Sequence, residues 1–401
     1  MSNTLNKKGL RITDILYAAA VVGLSSICYK LFYRMAINYH GKYPSDFPWY
    51  INLPVSEYKE RYRLLGWLFD IIWRHSHEIT GMVIYLAAVI GCIVLMNLVF
   101  LRFYTGQSGA NRAALQLASL LVPFIGPIYM PGIHEFYYRW SFQIFAWHSP
   151  TEQSMILCSL IAFLCFVKMY EESDNDVSIK NWIFAMLSGL LSAFAKPAFI
   201  IDLIVAMICL FLIDLFTVKG KSFIKRFREL FIMGCSLIPS GIYMLVIMKY
   251  SFNGEGDLHE GEVKVDLTHV LEYKNLLAAI VCGLAFAIVV WAVNIKLLRE
   301  KRYRTVFAVF LAGILQWALF VEDGDRATHG NFTWGRQIGC YLLVITAVAI
   351  AFNNLKDENF MAGNKKARTA YFAILAVLLL LHIGSQLHYF YLICTGHGYM
   401  L

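Results

Sequence analysis

The sequence is short of charge. Asp, Glu, Lys and Arg make up 15% of its 401 residues, where a soluble chain of this length carries about a quarter. With 59% hydrophobic residues, that shortage excludes a water-soluble globular protein. The alternation of ~10-residue strands that marks a membrane β-barrel is missing as well. There is no internal repeat and no low-complexity segment. No Walker A sequence, glycine-rich nucleotide fingerprint or dense carboxylate motif for a nucleotide sugar occurs, so the energy for any reaction has to come with the substrate. The nine cysteines show no CxxC spacing and no metal-binding pattern. Cys92, Cys158, Cys165, Cys209 and Cys282 lie inside apolar runs and read as small hydrophobes. Cys28, Cys340 and Cys394 fall nearer one membrane face, where a disulfide stays open.

What is present is a succession of apolar runs of about 20 residues, each able to cross ~30 Å of hydrocarbon. The expected fold is an all-α polytopic membrane protein of about eleven spans, with ten as the rival count because the run at 182–195 is short. They fall near 12–33, 80–103, 113–130, 154–170, 182–195, 199–218, 230–250, 276–298, 306–320, 338–352 and 370–390. The chain reads as a single transmembrane domain over 1–401. An N-terminal module covers about 12–218, with long loops at 34–80 and 131–153, and C-terminal helices cover about 230–390. Lys7, Lys8 and Arg11 precede the first run without a small-residue cleavage site, which indicates a retained helix and not a cleaved signal.

Eleven spans put the basic clusters at 7–11, 219–228, 299–304 and 356–368 on one side. By the positive-inside tendency that side is cytoplasmic. The N-terminus is then inside, the C-terminus outside, and the membrane the plasma membrane. The net charge of +8 belongs to these loops and does not imply nucleic acid. The first loop opposes the trend with Arg34, Lys42, Lys59, Arg61, Arg63 and Arg74, and an anionic lipid head group is one reason for such charges.

Four groups of polar residues fall on the outer side. In Tyr43-Pro44-Ser45-Asp46-Phe47-Pro48, two prolines hold an ordered turn that presents one carboxylate, Asp46. The other reading of Asp46 is a solvated loop residue. Tyr58 to Arg74 follows as an amphipathic helix lying in the membrane plane. The second loop contains His134, Glu135 and Arg139, then Trp147-His148-Ser149-Pro150-Thr151-Glu152. Asp46 and Glu135, with His134 beside them, are candidate ligands of a divalent cation, Mg or Mn, because hard cations take carboxylate oxygens. His148 can act as a base or as a hydrogen-bond donor to sugar or phosphate. The loop's aromatics read equally as an interfacial belt, and Ser149 to Glu152 as a helix N-cap. Lys196-Pro197 breaks an apolar stretch; a cation near hydrocarbon marks a functional site by default, or it snorkels to water. Asp202 is its candidate counter-ion. The last group runs from Glu322 to Arg336 and includes His329 and Gly330-Asn331-Phe332-Thr333-Trp334-Gly335. Arg336 is suited to bidentate phosphate binding, or it simply anchors a helix end.

In this layout the chain resembles the GT-C class of integral membrane glycosyltransferases, and more narrowly the multi-pass envelope-polysaccharide proteins of Gram-positive bacteria. The shared pattern is the early acid of the first loop, the juxtamembrane helix, Trp147-His148-x-Pro150-Thr151, Lys196-Pro197 and Gly330-Asn331-Phe332-x-Trp334-Gly335. The resemblance implies a GT-C-like bundle with an outward cavity. It implies transfer of a sugar from a polyprenyl phosphate or diphosphate carrier to a glycan or lipid acceptor, for cell-envelope polysaccharide or glycoconjugate assembly. Asp46 would be the base on the acceptor hydroxyl. His134, Glu135, Arg139, His148, Lys196, His329 and Arg336 would bind substrate or its phosphate, with Arg336, Lys196 and His148 neutralising the leaving group. The first loop has no Asp-x-Asp pair, which departs from a metal-dependent pattern.

Two other functions compete. A polysaccharide polymerase or ligase uses the same carriers but relies more on arginine and histidine. A flippase of lipid-linked sugars would favour internal repeats and charges at mid-membrane. A scaffold without catalysis leaves the polar outer loops without a reason.

Overall fold

The computed structural model describes residues 11–38, 42, 43, 45, 47–52, 64–106, 112–131, 142–173, 177–217, 223–252, 263–271, 275–322 and 332–397. In chain order the helices are α1 Ile12–Ile37, α2 Phe47–Asn52, α3 Leu64–Ser76, α4 Ile79–Thr105, α5 Arg112–Leu121, α6 Pro150–Glu172, α7 Ile179–Ala195, α8 Ala198–Thr217, α9 Phe223–Cys235 and α10 Ile238–Phe252. Strand β1 Val263–Val265 and helices α11 Thr268–Leu271, α12 Leu276–Val293 and α13 Lys301–Leu319 follow, then strand β2 Phe320–Glu322 and helices α14 Thr333–Lys356 and α15 Lys365–Thr395. β1 and β2 form a short antiparallel ladder with Lys264 opposite Val321.

Among the described residues, seven helices are long and apolar enough to cross a membrane: α1, α4, α6, α8, α12, α14 and α15. The pair α9 and α10, bent by 43°, makes an eighth if counted as one span. The protein is therefore an all-α polytopic membrane protein. Among the described residues, fewer full spans are found than the expected eleven. α7 is 17 residues. α13 begins on Lys301, Arg302 and Arg304, which hold its mean hydropathy down. The expected helix at 113–130 stops at Leu121 and passes through a 3-10 turn, Val122–Phe124, before continuing without helix to Met130. Pro123 and Pro127 lack an N–H, and Gly126 adds backbone freedom, so this stretch cannot extend the helix.

The bundle has two ends. At the proximal end Arg112 pairs with Asp14 of α1 at 2.8 Å, Arg302 of α13 with Glu171 of α6 at 2.6 Å, and Arg304 with Asp214 of α8 at 2.7 Å. At the distal end the Arg34 guanidinium of α1 donates to the Cys394 carbonyl of α15 at 3.0 Å. The start of α1 and the end of α15 thus lie at opposite ends. α14 is the central pillar, buried continuously from Gly335 to Ile350 and packed by α4, α6, α8, α12 and α13.

Non-helical backbone inside hydrocarbon is tolerated only where protein satisfies it, and the 122–131 segment meets that condition. The Ile128 N–H donates to the Cys282 carbonyl of α12 at 2.9 Å, and the Tyr129 N–H to Ser385 Oγ of α15 at 2.8 Å. His382 Nδ1 stands 2.5 Å from the Gly126 carbonyl, while the Phe286 N–H reaches its Nε2 at 3.3 Å. A single neutral tautomer, protonated on Nδ1, serves both bonds. A Cβ on Gly126 would fall onto Gln386, so only glycine allows this approach.

The amphipathic helix of the first loop is present as α3. It buries Leu64, Leu65 and Phe69, exposes Trp67, and carries an Arg74–Asp70 pair at 3.0 Å. Its expected start at Tyr58 lies outside the described residues. All nine cysteines are free thiols.

Candidate functional site

The site is assembled at the distal end around the first turn of α14. Gly335 fits there because two elements press against it. A Cβ at Gly335 would stand 2.6 and 2.9 Å from the carboxylate oxygens of Asp202 on α8 and would overlap Gln316 Oε1 on α13. From α13, Gly313 faces the Gly335 backbone so closely that its own Cβ would lie 2.6 Å from that carbonyl oxygen. Small residues that let helices approach in this way are the usual currency of membrane packing.

Lys196 follows α7 with extended backbone, as the residue before a proline prefers, and its N–H caps the Ser192 carbonyl. Its ammonium lies 3.6 Å from the Trp334 ring centroid. The Arg336 guanidinium sits between Phe142 at 4.7 Å and Trp317 at 4.5 Å and is almost fully buried. Phe142 is held in turn against Gly283 of α12, where a Cβ would come 2.5 Å from the phenylalanine's own Cβ. Two cations on aromatic supports therefore flank the amino end of α14, where unsatisfied N–H groups already favour an anion.

The second loop packs beside them. Glu152 Oε1 accepts from the Ala146 N–H at 3.0 Å and from Gln337 Nε2 at 2.5 Å, so it ties loop 142–149 to α14. Gln153 Nε2 donates to the Trp147 carbonyl, and Gln143 Nε2 donates to Gln386 Oε1 at 3.1 Å. Ser149 precedes α6, and Pro150 opens it, but Ser149 makes no side-chain cap bond. The capping role expected for Ser149–Glu152 therefore gives way to a tertiary role for Glu152. His148 is buried, with Nδ1 3.0 Å from the Tyr389 hydroxyl. Burial pushes its pKa down to about 4, so at neutral pH it is uncharged. In that state it can orient a group by hydrogen bonding.

Ser45 Oγ donates to the His148 carbonyl at 2.6 Å and receives the Phe47 N–H at 3.1 Å. The first loop is thereby docked on the second at the residues flanking position 46. Asp46 itself, like His134, Glu135, Arg139 and His329, lies outside the described residues. Of the expected site residues, the structure brings Lys196 and Arg336 to the same helix turn and places His148 at the junction of the two loops. Among the described residues no group of three or more His, Cys, Asp or Glu stands ready to hold a metal ion. The Asp46–Glu135 cation site lies outside them.

Asp202 is corrected in role. It does not pair with Lys196. Its carboxylate is fully buried against Gly335 and Gln316, and neither oxygen has a hydrogen-bond partner. Gln316 Oε1 beside it is also unpartnered. The sequence signal was a carboxylate within an apolar run. A second such carboxylate, Asp214, was missed: at the proximal end of α8 it accepts from Tyr170, Arg226 and Arg304.

No family model, curated protein or solved structure matches the chain.

Proposed function

We propose that the protein is a membrane glycosyltransferase that moves a sugar from a polyprenyl phosphate or diphosphate carrier to an acceptor on the outer face, for cell-envelope polysaccharide or glycoconjugate assembly. The observation that carries this reading is the convergence of Lys196 and Arg336 on the amino end of α14, beside the docked first and second loops. In this reading the distal end faces outward, because the basic loops gather at the proximal end. Lys196, Arg336 and the α14 amides receive the carrier phosphate and stabilise the charge it gains as the bond to the anomeric carbon breaks. Asp46 takes the proton from the acceptor hydroxyl, whose oxygen forms the new bond to that carbon. Neutral His148 positions a sugar or phosphate oxygen.

The test is transfer from radiolabelled polyprenyl-linked sugars to endogenous acceptor in membranes at matched expression. Asp46→Asn should abolish transfer. Arg336→Lys should lower it by about 10–100-fold, since a point charge does not reproduce a planar fork. Transfer unchanged in Asp46→Asn removes that residue from the mechanism and shifts the reading to a polymerase built on Arg336.

A second reading, a flippase of lipid-linked sugars, draws on the interruption after α5, a 3-10 turn followed by a non-helical stretch buried as far as Pro127. Interrupted helices of that kind build transporter binding sites. Carrier translocation without sugar transfer in reconstituted vesicles would favour it.

A further inference from the structure

At the proximal end, far from the distal site, a pocket of about 590 Å³ opens between the ends of α6 and α8 and the start of α13. Four cations line it within one short stretch of chain: Arg299, Lys301, Arg302 and Arg304. Three acids line it as well, Glu171, Asp214 and Glu300. Glu300, exposed at the start of α13, makes no ion pair among the described residues, and the other two are committed. Glu171 is taken by Arg302 at 2.6 Å, and Asp214 is shared by Arg304, Arg226 and the Tyr170 hydroxyl. Arg299 is exposed and makes no ion pair among the described residues. Arg304 Nε is a buried donor with no partner.

A second feature adjoins the pocket. Thr217 lines it, and the preceding residue, Phe216, starts a ladder of rings that continues along α9. Phe216, Phe223, Phe227 and Phe231 stand in succession at 6.4, 6.4 and 6.2 Å between centroids. All four are more than half exposed, from 53% to 76%. α9 carries Lys225, Arg226 and Arg228 on the same short helix, and Arg226 reaches inward to Asp214 at 2.8 Å. An amphipathic helix with a phenylalanine face and a basic face lies in the membrane interface. The Arg226–Asp214 pair ties α9 to a residue that lines the pocket.

From this we infer that the proximal pocket binds the phosphate head group of an anionic phospholipid, with the Phe216–Phe231 ladder receiving its acyl chain. Basic pockets between membrane helices take such head groups. The ladder selects a lipid over a free anion. The inference is independent of the transferase reading, because it uses neither the distal site nor its residues.

The test uses the purified full chain in a neutral detergent. Binding is read by native mass spectrometry and by thermal shift with phosphatidylglycerol, with phosphatidylcholine of the same chains, and with inorganic phosphate. Phosphatidylglycerol should bind saturably and raise the unfolding temperature; the other two should not. Arg299→Gln, at an exposed position without a partner, should weaken phosphatidylglycerol about five-fold, one cation's worth near a lipid surface. Phe227→Gln should weaken it with no change of charge at the pocket. Lys366→Gln, an exposed cation elsewhere on the chain, should leave it unchanged. Equal binding of phosphatidylcholine, full stabilisation by inorganic phosphate, or phosphatidylglycerol affinity unchanged in both Arg299→Gln and Phe227→Gln would overturn the inference.

Discussion

Gly313→Ala tests the contact on which the distal site rests. The added methyl would lie 2.6 Å from the Gly335 carbonyl oxygen, 2.8 Å from its carbon and 3.0 Å from the Arg336 nitrogen. All three are backbone atoms of a central helix, so no rotamer can yield. Ordinary contact begins near 3.4 Å, so α13 has to retreat by roughly 0.8 Å, a gap that already forfeits a quarter to a half of each dispersion well along the interface. Overpacking of this kind costs about 1–3 kcal/mol, and a backbone clash puts it near the upper end. Alanine gains about 1 kcal/mol over glycine in a helix. That gain is removed by comparison with Gly384→Ala in α15, where the new Cβ meets nothing within 4 Å. Gly313→Ala should therefore unfold about 3 kcal/mol more easily than Gly384→Ala. The measurement is a denaturant titration in detergent micelles, followed by far-UV circular dichroism. Gly339→Ala, whose Cβ would stand 3.0 Å from Phe310 Cα, should fall between the two. Equal stability of Gly313→Ala and Gly384→Ala would show that α13 and α14 do not approach as described, and the placement of Arg336 would fall with it.

Two further outcomes are expected. Because burial lowers the His148 pKa from 6.5 to about 4, the folded state resists a proton that the unfolded chain accepts. Its stabilising effect is complete above pH 6.5 and is lost as pH falls toward 4, about 2 kcal/mol between pH 7 and 5; unfolding of His148→Gln at both pH values should lack that loss. On α8, Asp214→Ala leaves buried Arg226 with only Glu229, at 3.4 Å, and strips Arg304 of its carboxylate, and should cost roughly 3 kcal/mol, whereas Asp202→Asn should unfold no more easily than wild type yet change transfer; a stability loss of equal size at both positions would refute the distinction.

Much of the scaffold is legible in the sequence, because a run of apolar residues long enough to span needs no partner to declare itself. The expected helix at 80–103 is found as Ile79–Thr105, and that at 199–218 as Ala198–Thr217. The apolar run places the last-but-one span at about 338–352, with Arg336 at its start, whereas α14 begins at Thr333, so Gly335, Arg336 and Gln337 lie within its first turns. They are helical since each is satisfied through tertiary contact: Gly335 by close approach, Arg336 by two rings, Gln337 by Glu152. The pairing of His382 with Gly126 spans 256 residues and that of Gln143 with Gln386 spans 243. No local period encodes such contacts. The proline-rich stretch at 122–131 could have been read as a break, and Asp214 could have been flagged by the rule that found Asp202.

α8 places the same residue type in two contrasting situations. Asp202 and Asp214 are twelve positions apart, about 18 Å along a helix, and both are fully buried. A lone carboxylate at such a site costs several kcal/mol unless it is paired and hydrogen-bonded. Asp214 is answered in full, by a tyrosine hydroxyl at 2.6 Å and two guanidinium groups at 2.8 and 2.7 Å. It locks α6, α9 and α13 to the end of α8, which is sufficient reason for its presence. Asp202 has no such answer: neither of its oxygens has a hydrogen-bond partner, and the Gln316 amide oxygen that meets Gly335 beside it has none either. Packing alone would favour a leucine there. A buried carboxyl that the fold leaves unsatisfied, packed against the turn of α14 that carries Gly335 and Arg336, fits the chemistry proposed for the distal end better than a role in stability.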